Sequence, residues 1–192
     1  MNAAHTYIQV LLGIILTAVI GAWLAEQYRA RSAEFETAQH VFQDQSELLG
    51  QRLHAMSELL HALKDGKQPD AVETQMAAYR AFLGDYNAKR NYNRVMIELY
   101  FGEPIYNEER DLHYQMRYIG QEIECDYRER WAVNPAALDD AIAASWEKLS
   151  DLSKHMGAAL RDDKIGRNRP TAAAPPTKDE PNFVCNAGPQ PR

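Results

Sequence analysis

Apolar residues recur at helical spacing along most of this chain. Phe35, Phe42, Leu49, Met56 and Leu63 stand seven residues apart, with Leu53 and Leu60 four after two of them. Such a repeat draws one apolar stripe along a helix and leaves Glu, Gln and His on its other faces. A second series comprises Val72, Met76, Tyr79, Leu83 and Tyr86, then Ile97 and Tyr100. A third runs through Ile105, Leu112, Met116, Ile119, Ile123 and Tyr127. The fourth is the most regular: Leu138, Ile142, Ser145, Leu149, Leu152, Met156 and Leu160. No alternating segment with hairpin chemistry lies between them, so no strand is predicted.

Proline and glycine mark the joints. Pro69, Pro104 and Pro135 each stand where a helix can begin, because proline is tolerated only in the first turn. Gly66 and Gly102 precede the first two as stop signals, and Asn134 caps the third. Helices are therefore predicted over about 27–64, 70–101, 105–131 and 136–161. None can bury its stripe alone, and joints of a few residues make neighbours antiparallel. The expectation is an all-α chain whose body, residues 26–163, is an antiparallel four-helix bundle. A long coiled coil is the rival, but the heptad is strict only in the first helix.

Before the bundle the pattern changes. Residues 1–6 form a short N-terminal tail, and Tyr7 to Ala25 contain no charge and one strongly polar residue, Gln9. Nineteen residues at about 1.5 Å each reach roughly 28 Å, near the thickness of a bilayer's hydrocarbon core. Tyr7, Trp23 and Tyr28 fit the aromatic belts at its two faces. A cleaved signal peptide fits less well: the tail has no Lys or Arg, and a cut after Ala25 would set Trp23 at the minus-three position. The reading is a single transmembrane helix, 7–25, continuing into the first bundle helix. Arg29 and Arg31 follow the span, so the positive-inside rule puts the N-terminus outside and the bundle in the cytoplasm of a cell membrane, of the bacterial inner-membrane kind. Two unpaired cysteines, Cys125 and Cys185, agree with a reducing compartment. Gly13, Thr17, Gly21 and Ala25 form a small-residue stripe that permits self-association of the span.

Composition adds limits. The chain has 192 residues, 45% hydrophobic and 25% charged, with net charge −6, which disfavours nucleic acid as a partner. Residues 164–192 hold six of the nine prolines and few large apolar groups, so a disordered tail is expected there.

Candidate chemistry is sparse. His54, Glu58 and His61 share one helix face and include a single E-x-x-H pair, whereas a bundle di-iron site needs two pointing inward. They lie off the apolar stripe, so a solvated face is expected rather than a metal site. Asp85 to Arg94 interleaves basic and aromatic residues, a mixture suited to a headgroup or single strand. Folding about Gly102 brings Arg90 and Arg94 near Glu109 and His113, so a polar interhelical layer is predicted instead. Cys125 lies between Glu124 and Asp126, a poor setting for a nucleophile, and G-x-S-x-G, P-loop and H-E-x-x-H motifs are missing.

One further layer is predicted from register. With turns centred near 67, 102–103 and 133, Gly50, Gly84, Gly120 and Trp146 fall at one level, so three glycines are expected to make room for the Trp146 indole. No enzyme activity, cofactor or small-molecule substrate is expected. The expected function is that of a membrane-anchored scaffold, adaptor or regulatory protein, with the bilayer and a protein partner or second copy as its contacts. Two alternatives remain: an envelope-facing sensor or stalk that binds a small ligand, and a metal-binding bundle.

Overall fold

The computed structural model describes residues 2–64, 69–129 and 135–166, and no side chain at 2–17, 69, 126, 128, 129 or 135. These residues form four helices: α1 Asn2–Lys64, α2 Pro69–Phe101, α3 Glu103–Glu129 and α4 Pro135–Arg161. Among the described residues there is no strand. Proline occupies the first position of α2 and α4 and the second of α3, where its missing N–H costs nothing. Gly102 ends α2 at φ 83°, a left-handed conformation that glycine adopts freely. Its N–H bonds the Glu98 carbonyl and its own carbonyl accepts from Tyr106, which sets α3 directly behind α2.

Contacts divide the chain into two units, Met1–Thr37 and Ala38 onward. In the first, Val19, Ile20, Trp23 and Leu24 are exposed. Among the described residues no helix is long and apolar enough to cross a membrane. Most of the 7–25 stretch read as a span, with Gly13 and Thr17, lies outside the described side chains; Gly21 is exposed with open space around it.

The second unit is the bundle. α3 packs between α2 and α4. α1 meets α4 through Ser46 with Ser153 and Lys64 with Asp139, one number rising as the other falls, so the two run antiparallel. The core gathers the four predicted stripes: Leu49, Met56 and Leu63 of α1, Met76 and Tyr86 of α2, Leu112, Met116 and Ile119 of α3, and Leu138, Leu149 and Met156 of α4.

Three sequence expectations need correction here. Cys125 is disulfide-bonded and not a free thiol. The chain's other cysteine, Cys185, lies outside the described residues. The tail expected to be disordered from Lys164 is docked over its first residues: Ile165 joins the core and the Gly166 N–H bonds the Tyr100 carbonyl at 3.0 Å. One large apolar side chain is enough to seat it. Residues 167–192 lie outside the described ones.

The Trp146 layer does not form. Trp146 is 42% exposed, Gly84 faces open space, and Gly120 faces Tyr79 of α2. Only Gly50 meets the indole, at ordinary contact distance. Register placed these residues at one height, but each glycine stands beside its apolar stripe and not on it, so the three point in different directions.

Candidate functional site

The bundle's interior is not wholly apolar. Gln45 and Arg52 of α1 enter the core from the heptad position held elsewhere by Ala38 and Leu59. Arg90 and Asn93 come from α2, and Glu109 and His113 from α3, one helical turn apart. The Glu109 carboxylate, 0% exposed, accepts from Arg90 Nε at 3.0 Å and Nη2 at 3.2 Å. Gln45 donates to the same carboxylate at 3.2 Å and accepts from Asn93 at 3.1 Å. A two-pronged Arg–carboxylate pair with its remaining acceptor filled is the arrangement that makes a buried ion pair tolerable.

One turn further along, a second group surrounds His113. Its Nδ1 lies 3.2 Å from Arg52 Nη1 and 3.1 Å from the Tyr86 hydroxyl. A guanidinium can only donate, so Nδ1 accepts and the ring proton belongs on Nε2. Burial, reinforced by the cations Arg90, Arg52, Arg117 and Arg94, pushes the His113 pKa down to about 2, so the ring is neutral. Tyr86 stacks on His113 with centroids 5.9 Å apart, and Arg52 lies 4.5 Å over the Tyr86 ring. Burial raises the pKa of both Tyr79 and Tyr86, against the charge and hydrogen-bonding reach of the adjoining Arg52, which lower it.

A cavity of about 420 Å³ adjoins this second group, between α1, α2 and α3. Arg52, Tyr79, Leu83, Asn87, His113, Arg117, Gly120, Gln121 and Glu124 line it. Gly120 has a packing role there: a Cβ at that position would stand 2.5 Å from the Tyr79 hydroxyl. Glu124, at the wall, is engaged by Arg80 at 2.8 Å.

The residues singled out from sequence separate. Arg90 and Glu109 pair as described, and His113 belongs to the neighbouring group with Arg52 and Tyr86. Arg94 lies near enough for its charge to act on His113, but its hydrogen bond goes to the Tyr106 hydroxyl, from Nε at 2.7 Å. His54, Glu58 and His61 are all exposed, and among the described residues no group of three His, Cys, Asp or Glu is placed to hold a metal ion. Sequence reasoning missed Gln45, Arg52, Tyr79, Tyr86 and Asn93 as polar partners. A signal existed for two: counting three on from Phe42 and Leu49 reaches Gln45 and Arg52, on the buried seam of the heptad. No family model, curated protein or solved structure matches the chain.

Proposed function

We propose that this chain is a single-pass, membrane-anchored helical bundle that works as a non-catalytic scaffold, adaptor or regulatory interaction module. The observation that carries the reading is an exposed apolar run, Val19, Ile20, Trp23 and Leu24, on a chain whose bundle has a filled core of its own. Exposed contiguous apolar side chains mark a surface that a bilayer or partner covers. The polar interior supports a binding role over a catalytic one. Arg90, Glu109, Gln45 and Asn93 are occupied with one another and carry no exposed reacting group.

The Cys125 disulfide favours placing the bundle on the oxidising side of the membrane, because such bonds persist there and are reduced in the cytoplasm. This reverses the orientation suggested by Arg29 and Arg31, a bias of two basic residues against one charged amino terminus, which a disulfide requirement outweighs. C-terminal fusions test it. A phosphatase reporter that folds only outside the cytoplasm should be active, and the protein should stay in the membrane on alkaline extraction. Release by alkali contradicts the anchor, and activity of a cytoplasm-only reporter contradicts the orientation.

A second reading, a bundle that binds a small ligand, is favoured by the cavity beside Arg52.

A further inference from the structure

We propose that the cavity beside Arg52 binds a small oxyanion, a carboxylate or a phosphate ester, held by the Arg52 guanidinium and the Tyr79 hydroxyl. The inference deepens the small-ligand reading and does not depend on which side of the membrane the bundle occupies.

Charge is the first ground. Among the described buried side chains, Arg52 and Arg90 are cations and Glu109 is the one carboxylate. Arg90 takes both oxygens of Glu109. Arg52, 4% exposed, is left with a neutral imidazole and the face of a tyrosine. A cation–π contact offsets only part of the cost of burying that charge. An anion in the adjoining cavity completes the pair.

Unsatisfied atoms are the second ground. Buried polar atoms in native proteins almost always have partners. Among the described residues two buried side-chain atoms have no well-formed hydrogen bond, Arg52 Nε and the Tyr79 hydroxyl; the two groups adjoin one another, near enough for Arg52 to act on Tyr79, and both line this one cavity. Nη1 of Arg52 is taken by His113, so the Nε edge is the one left to form a forked contact with an oxyanion. Tyr79 can hold its hydroxyl there because position 120 has no side chain.

Space and field agree. About 420 Å³ accommodates a small organic anion. Arg117 also lines the wall, and the one carboxylate there, Glu124, is engaged by Arg80. A second cavity of similar volume, lined by Asp44, Glu47 and Lys89 among others, has two carboxylates to one cation and no such buried atom. A single water in the first cavity would serve the two atoms but bring no negative charge to Arg52.

The test uses the full-length protein in detergent. Sodium phosphate and sodium succinate are each titrated against sodium chloride at matched ionic strength, following the thermal midpoint and the heat of binding. One or both should raise the midpoint saturably by about 5 °C or more, and the active anion tells phosphate from carboxylate recognition. Arg52→Met should abolish the response while leaving the ligand-free midpoint equal or higher, since it removes an unpaired buried charge. Tyr79→Phe, which keeps the packing, should weaken affinity at least threefold and reports independently if Arg52→Met fails to fold. If neither anion acts beyond chloride on the wild type, or if both variants respond as the wild type does, the site is refuted. A stabilising neutral compound found while both anions fail would spare the small-ligand reading and sink this one.

Discussion

Glu109 is the residue on which the polar interior turns, and replacing it with Gln is the most informative perturbation. The change keeps the side chain's shape and one acceptor oxygen but removes the only buried carboxylate among the described residues. Arg90, its side chain 9% exposed, then has no counter-charge, and Arg52 stands in the same interior. Removing one partner of a buried pair costs about 3–5 kcal/mol, because the other charge stays behind desolvated. Glu109→Gln should fall at the lower end of that range, since the amide oxygen still accepts one N–H from Arg90. Arg90→Met should cost a similar amount by stranding the carboxylate. The double change Arg90→Met with Glu109→Leu removes both charges and should lie within about 1 kcal/mol of the wild type, or be more stable. Urea unfolding of the full-length protein in detergent gives the midpoint and slope for all four members of the cycle. A cost below about 1 kcal/mol for Glu109→Gln, or a double variant as unstable as the two single costs summed, would refute the buried pair.

Three further outcomes follow from neighbouring contacts. Gly120→Ala should destabilise by about 1–3 kcal/mol because its Cβ meets the Tyr79 hydroxyl; in a Tyr79→Phe background the same change should stabilise by up to about 1 kcal/mol, as alanine normally does in a helix, and equal effects in both backgrounds would contradict the contact. His113 is held neutral down to about 2 while the unfolded chain takes its proton near 6.5, so stability is full above pH 6.5 and is lost as pH falls. Between pH 7 and pH 5 that loss approaches about 2 kcal/mol, and His113→Asn should flatten it in pH-dependent urea melts. Trp146→Ala should cost only about 1–2 kcal/mol, because the indole is half-exposed and rests on Gly50; a cost above 3 kcal/mol would restore it to the core.

The helices were legible because apolar spacing and proline placement say the same thing at each joint, and the bounds at Pro69, Phe101 and Pro135 fall within a residue of those expected. The pairing of Arg90 with Glu109 was legible too, as antiparallel register about Gly102 fixes which levels of α2 and α3 meet. Facing was harder than height. Gly84 and Trp146 turn outward, because a helix rotates 100° per residue and one position beside the stripe already leaves the core. Arg52 was hidden for a different reason: its neighbour Leu53 carries the apolar signal, although Arg52 also occupies an inward seam. An arginine there defies the usual burial preference and becomes visible only once α2 and α3 close over it. The disulfide at Cys125 could not be read from a count of two cysteines, since pairing depends on distance in the fold.

The central claim, an anchored bundle standing on the oxidising side of a membrane, is tested most directly by the state of Cys125 in the cell. Cells are quenched in acid, and the denatured full-length protein is treated with a mass-shifting maleimide before and after reduction. The account predicts membrane-bound protein that takes no label until a reductant is added and then takes two. Membrane-bound protein that takes both labels without reductant would show free thiols in a reducing compartment and would contradict it.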